Sequence, residues 1–262
     1  MRRAAVFHPG GPSVRELAEQ ALSSTQRGYD LLAPKFDYTP FRTPAWILRA
    51  AAASVPPEAT FESGLDVCCG TGAGMEMLRP LCRERVVGLD FSRGMLSVAR
   101  RNLAAAPGRA RLEFVRGDAL ALPFGPTFDI AVCFGALGHI LERDQPVFVS
   151  EVARVLRPGG RFVFVTSYMP PAWSARRWLG HGFNAAMHVR NALVSPPFVM
   201  YYLTFLLPDV ERLLERAGLE VQVARPPGLD RRWGDLRVVT ATRPSAATPG
   251  RRAGRAAPAP GS

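Results

Sequence analysis

The 262-residue sequence is poor in lysine, cysteine and histidine. Four cysteines make no recognisable framework: Cys68 and Cys69 are adjacent, Cys82 is expected in a helix and Cys133 in a strand. No spacing among them fits a zinc site or a set of disulfides, so reduced thiols and no metal are expected. The start, MRRAAVFHPGG, has no apolar core of signal-peptide length. The most apolar stretch, Ala192 to Leu207, is broken by Pro196 and Pro197 and is short for a membrane span. There is no internal repeat. A globular, cytoplasmic protein is the expectation these absences leave.

The hydrophobic fraction, 47%, is ordinary for such a protein. The length suits one large domain with tails. The net charge is +11 and is carried by arginine, since Lys35 is the sole lysine. A basic chain of this kind suits nucleic acid or an anionic membrane. Abundant Arg, Ala, Gly and Pro together are also what a GC-rich genome imposes, and that reading weighs more.

Three regions are expected: a poorly periodic N-terminal extension over 1–25, a main domain over 26–242, and a disordered basic tail over 243–262. Helical pattern appears at Tyr29–Phe36 and at Pro44–Val55, with Thr43 as N-cap. From Gly64 short β-branched runs alternate with helical ones. Strands are expected at Gly64–Cys68, Val86–Asp90, Leu112–Arg116, Phe128–Phe134 and Gly160–Thr166, with helices at Ala73–Cys82, Ser92–Ala105 and Val147–Leu156. Alternation of this kind means a parallel sheet covered on both faces. The rhythm breaks over about 168–207. A helix at Pro208–Ala217 and strands at Leu219–Ala224 and Asp235–Thr242 complete the pattern.

The stretch LDVCCGTGAG, Leu65–Gly74, reads as a strand, a tight turn and a helix start. In a doubly wound sheet that is where a ligand binds. Gly70 and Gly72 let backbone approach a ligand, although a plain βα turn would use them too. A dinucleotide fingerprint fails here, because Met75 and Met77 stand where its third glycine belongs. A triphosphate loop fails as well, for want of Gly-Lys-Ser/Thr. Between Asp66 and Leu78 there is no basic residue, while Asp66 and Glu76 are acidic. Such a turn suits a ligand without phosphates, and a cationic one.

Acids also end the next two strands. Asp90 is placed to accept from ribose hydroxyls, with helix capping as its other reading, a task Ser92 can do alone. Asp118 in RGDALALPF is placed to accept from a purine amino group, with an Asx-turn as its other reading. Three acids at three successive strand ends beside a glycine turn are far more specific than any one of them.

Together LDVCCGTGAG, VVGLDFSRGMLSVAR, GDALALPF, FDIAVCFGALGHI and EVARVLRPGGRFVFV resemble, in order, the motifs of class I S-adenosylmethionine-dependent methyltransferases. The resemblance covers residues 64–167 and is closest to the quinone-biosynthesis and small-molecule branch. It implies an α/β fold: a doubly wound, Rossmann-like, seven-stranded and mostly parallel sheet, with the last strand antiparallel and a helical lid insertion. It implies S-adenosylmethionine as cofactor. Asp66, Cys68 and the turn Gly70, Thr71, Gly72 would hold its methionine end. Asp90 would take the ribose, Phe91 and Met95 would pack on the adenine, and Asp118 with Ala119 would meet its amino edge. Phe134 and Gly135 would line the space near the sulfonium. Cys68 departs from the family, which usually has glycine there, and a slightly altered turn is expected.

Methyl transfer from a sulfonium is an in-line displacement in which alignment does most of the work. His139, in FGALGHI, is the candidate base, or else a histidine that orders its loop. Tyr29, in GYDLLAPKFD, resembles part of a helix covering the cofactor; core packing is the other reading. The insertion supplies Trp173, Arg177, His181, Tyr201 and Tyr202 as candidate substrate contacts. Its aromatics and arginines suit a small hydrophobic or aromatic acceptor methylated on oxygen, carbon or nitrogen, or a lipid met at a membrane surface. They would equally serve as the insertion's own core. Nucleic acid is disfavoured as a partner. The place after the fourth strand reads FGALGH rather than an Asn/Asp-Pro-Pro-aromatic run, no Pro-Cys nucleophile is present, and no RNA-binding module is evident. A phospholipid or RNA methyltransferase and a non-catalytic cofactor-binding protein remain the alternatives. Oligomeric state is open.

Overall fold

Phe128–Cys133, the run FDIAVC, forms a strand with five of its six residues buried, as a strand covered on both faces requires. It is β4 of a seven-stranded sheet in a computed structural model that describes residues 7–56, 59–226 and 235–245. The other strands are β1 (Phe61–Val67), β2 (Cys82–Asp90), β3 (Arg111–Arg116), β5 (Leu156–Ser167), β6 (Glu220–Ala224) and β7 (Leu236–Thr242). Their order is β3-β2-β1-β4-β5-β7-β6. The pairs β1–β2, β2–β3, β1–β4 and β4–β5 are parallel. β7 inserts antiparallel between β5 and β6, as the resemblance implies. The strand order reverses between β1 and β4, so a crevice opens beyond their carboxyl ends.

Helices cover both faces: α1 (Val14–Leu22), α2 (Thr25–Leu32), α3 (Ala45–Ala53), α4 (Ala73–Leu78), α5 (Arg93–Asn102), α6 (Gln145–Val155), α7 (Ala175–Leu193) and α8 (Asp209–Arg216). One core packs Leu65, Val87, Phe128, Phe148, Phe162 and Leu214 against α6 and α8; the other packs Met75, Leu78, Val86, Ile130 and Val163 under α3 and α4.

Several boundaries differ from expectation for local reasons. α4 ends at Leu78, and Cys82 opens β2 instead of closing a helix. Arg79 keeps helical backbone, but Pro80 after it has no N–H to donate to the Glu76 carbonyl, so the helix stops. α3 has Pro44, not Thr43, at its N-cap, and no side chain caps it. The segment read as poorly periodic contains α1, whose start is a capping box between Ser13 and Glu16. Lys35 holds Glu16 at 2.7 Å and keeps that carboxyl down at about 2. Arg243, placed by the sequence at the start of the tail, instead continues the β5–β7 pairing through Gly160 and caps the end of α6 at the Leu156 carbonyl, 2.7 Å away. Residues 246–262 of that tail lie outside the described residues.

α2 is fastened over the crevice. Asp30 accepts from Ser92 Oγ at 2.6 Å and from Gly94 N at 2.8 Å, both at the start of α5. Asp37, in the 3-10 turn Ala33–Tyr38 that follows α2, accepts from Thr71 Oγ1 at 2.6 Å and from Asn102 at 2.8 Å. The insertion joins the same cover: Arg190 of α7 donates to the carbonyls of Ala21 and Ser23, and Val199 N donates to Thr25 Oγ1.

Candidate active site

β1 runs into the crevice carrying Asp66 and stops in a left-handed turn. Gly72 has φ +94° and begins α4, and a Cβ there would lie 2.7 Å from Leu103 Cδ1. Gly74 lies over the Asp66 carboxylate, where a Cβ would come within 2.6 Å of Oδ2. That oxygen is buried without a hydrogen-bond partner. Burial raises the Asp66 carboxyl to about 8. A buried carboxyl with one oxygen left without a partner, beside a backbone cradle in a turn without basic residues, fits a cationic ligand.

Cys68 adopts φ +58°, the conformation for which the family's glycine is suited. The hydrogen bond with the Cys133 thiol, and then burial, push its pKa well up, so it sits there as a neutral thiol. Cysteine holds this left-handed conformation at some strain, which glycine would be spared.

Asp90, at the end of β2, is buried, and burial raises it to about 6. Its Oδ2 accepts from Gly70 N at 2.9 Å and its Oδ1 from Ser92 N at 2.8 Å. Ser92 Oγ caps α5 by accepting from Met95 N, so the helix does not need Asp90 as its cap.

A cavity of about 280 Å³ joins these groups. Asp66, Cys68, Gly70, Thr71, Asp90, Phe91, Met95, Phe134, Gly135, His139, Tyr29 and Tyr202 all line it. Met200 of the insertion lines it too, and so do Arg42, Thr43, Phe36 and Phe41, which sequence reasoning missed as site residues. Arg42 donates to Asp37 at 3.1 Å, and Asp37 in turn holds the Thr71 hydroxyl. The signal available was GYDLLAPKFD itself, whose two aspartates both tie the cover down. Asp118 and Ala119 line a second cavity, of about 550 Å³, that shares Cys68, Phe91 and His139 with the first. Asp118 Oδ1 accepts from Leu120 N at 2.9 Å, the Asx-turn reading. Tyr201 lies in a third cavity beside His188. Trp173, Arg177 and His181 line none of the three, for they lie on or just before the outer part of α7.

Tyr29 and His139 meet inside the first cavity, with the phenol oxygen 2.7 Å from Nε2. His139 Nδ1 lies 2.5 Å from the Val199 carbonyl. A carbonyl only accepts, so Nδ1 carries the hydrogen and Nε2 the lone pair, which accepts from Tyr29. Burial lowers the His139 pKa from 6.5. Burial, and then the charge of Asp90, raise that of Tyr29. Phe91 edge-on and Phe198 stacked complete the cage around the Tyr29 ring. Among the described residues there is no cluster of side chains that could hold a metal ion.

A sequence profile described as a methyltransferase domain matches residues 65–160. The chain is 32% identical over 179 residues to a demethylmenaquinone methyltransferase of Bacillus licheniformis, covering 64% of this chain and 73% of that protein. The chain belongs to the class I S-adenosylmethionine-dependent methyltransferases. It falls in their quinone-methyltransferase branch. A demethylmenaquinone methyltransferase of Shouchella clausii is 40% identical over 111 residues, 41% of this chain and 46% of that protein. The chain spans about half the length of the first curated methyltransferases it matches. An O-methyltransferase family protein from Burkholderia thailandensis superposes with a TM-score of 0.64 at 17% identity, over 88% of this chain and 68% of that one. At that identity the likeness is one of fold. S-adenosylmethionine is the cofactor of the family, and the orphaned Asp66 oxygen under Gly74 fits its cationic methionine end.

Proposed function

We propose that this cytoplasmic methyltransferase methylates a small hydrophobic, hydroxylated aromatic acceptor of the quinol class. The observation that carries the reading is the Tyr29–His139 hydrogen bond within an otherwise largely apolar and aromatic cavity. Bound S-adenosylmethionine would supply an activated methyl group. Asp66 and Arg42 would hold the ammonium and carboxylate of its methionine end. Asp90 would take the ribose, Phe91 and Met95 the adenine face, and Asp118 with Ala119 the adenine edge. Phe134 and Gly135 would border the reacting carbon.

His139 would act as the base through Tyr29. The acceptor's hydroxyl proton passes to the Tyr29 oxygen as the Tyr29 proton passes to His139 Nε2. Tyr29 is held protonated in the resting site, so it serves as a relay and not as a standing phenolate. His139 takes up, as a proton, the positive charge that transfer removes from the donor. The buried site therefore holds the same net charge before and after, which avoids the cost of creating a new buried charge. Aromatic walls from Phe36, Phe41 and Tyr202 exclude water and orient the ring.

Purified protein with methyl-labelled S-adenosylmethionine and a cell extract tests this. Label recovered in the lipid-soluble quinone fraction is the expected result. Label in RNA, or in water-soluble products alone, would overturn it.

A further inference from the structure

α7 turns an apolar stripe outward. Trp178, Gly182, Ala185, Ala186, Val189 and Leu193 follow the spacing i, i+4, i+7, i+8, i+11, i+15, which lies along one side of a helix. All six are exposed. Trp178 is 66% exposed, Val189 59% and Leu193 79%. The inward side carries two asparagines beside the half-buried Phe183 and Met187, and Phe183 packs edge-on to the Tyr202 ring. Asn184 exchanges two hydrogen bonds with the backbone of Tyr202, at 2.7 and 2.8 Å. Asn191 does the same with Phe198, at 2.9 and 3.1 Å. Gly180 is the helix's buried residue, packed close under Leu203. The helix is thus pinned by asparagines, and its apolar stripe has no partner among the described residues.

Charge indicates what covers the stripe. From Tyr168 to Pro208 there is no aspartate or glutamate in a chain of net charge +11. Helical spacing places Arg177, His181 and His188 along one flank of the stripe, and Arg176 and Arg190 along the other. Trp173, 88% exposed, precedes the helix. Leu22, 59% exposed, lies at its far end, where Arg190 reaches the Ala21 carbonyl. An apolar stripe with an aromatic at one end, basic flanks and no acid has the chemistry of a helix lying in the headgroup layer of a bilayer. No helix among the described residues is long and apolar enough to cross a membrane, so the contact is one of surface.

We propose that α7 docks this enzyme on an anionic lipid bilayer. The segment that α7 holds through Asn184 and Asn191 carries Met200 and Tyr202, which line the first cavity. Docking therefore sets a wall of that cavity one helix away from the membrane, where an apolar acceptor would be dissolved. That last link rests on the acceptor reading above; the docking itself does not.

Sedimentation of the full chain with vesicles tests the docking. Vesicles of phosphatidylcholine with phosphatidylglycerol should carry the protein down, phosphatidylcholine alone should do so less, and added salt should weaken the binding. The double variant Val189→Glu, Leu193→Glu should lose affinity for the anionic vesicles by about tenfold or more. Neither residue lines a cavity, so its cofactor affinity and thermal midpoint should match the parent's. A parent chain that stays in the supernatant, or a double variant that sediments as well as the parent, would overturn the proposal. So would a parent dimer that the double variant splits, because the stripe would then belong to a second copy. Vesicle binding is read without methyl transfer. A chain that binds vesicles but labels no lipid would sink the acceptor reading and leave the docking standing.

Discussion

Tyr29 and His139 lie 110 residues apart in the chain and meet at 2.7 Å. One comes from a helix fastened over the crevice and the other from the loop after β4. Their hydrogen bond therefore exists only when the cover is closed on the sheet.

Removing either partner should slow methyl transfer by roughly 10²- to 10⁴-fold, the usual worth of a positioned base. Tyr29→Phe and His139→Gln should do so mainly through kcat, with S-adenosylmethionine affinity little changed. The rate should fall as pH drops through the His139 pKa, which burial places below 6.5, because a protonated Nε2 cannot accept. That acid limb should vanish in His139→Gln. A variant with the parent's kcat and pH profile would refute the relay.

Cofactor affinity should rise with pH up to about 8 and then level off. Asp66 titrates near 8 in the folded chain and near 3.8 when unfolded, and a cationic ligand prefers its ionised form. Below pH 8 binding should then release a proton, measurable by calorimetry in buffers of different ionisation enthalpy. Without ligand the sign for stability is opposite. Between about pH 4 and 8 the folded chain holds a proton that the unfolded chain gives up, so this residue's contribution falls as pH rises through that window. Asp66→Asn should abolish both effects. Affinity flat with pH in the parent would exclude the assigned contact.

Asp90→Ala should weaken S-adenosylmethionine binding by about 1.5–3 kcal/mol, the loss of charged hydrogen bonds to the ribose. The same change frees Gly70 N and Ser92 N, so a lower thermal midpoint is also expected. Adenine alone, which has no ribose, separates the two effects. Its affinity should change little if the ribose contact is what was lost. Arg42→Ala should weaken S-adenosylmethionine and leave adenosine unaffected; equal losses for both would place Arg42 elsewhere.

Cys68→Gly should stabilise the protein by up to about 1 kcal/mol, through relief of the left-handed strain at φ +58°. The entropy that glycine loses on folding offsets part of the gain. A denaturant titration reads the difference, and a clear loss of stability would show that Cys68 packing against Cys133 outweighs the strain.

The sequence by itself determined the strand–helix alternation, the place of the glycine turn and the three acids at successive strand ends. These are local: periodicity marks each element, and a turn that bends sharply needs glycine within a few residues. It also showed that Tyr29 and His139 were worth watching, without joining them. Tertiary structure decided that Asp30 and Asp37 clamp the cover, that Arg42 reaches the cavity, and that α7 leaves an apolar stripe outward. A helix's periodicity says that it has two sides but not which one meets the protein. That is fixed by what lies across from it, here the backbone of Phe198 and Tyr202 waiting for Asn191 and Asn184.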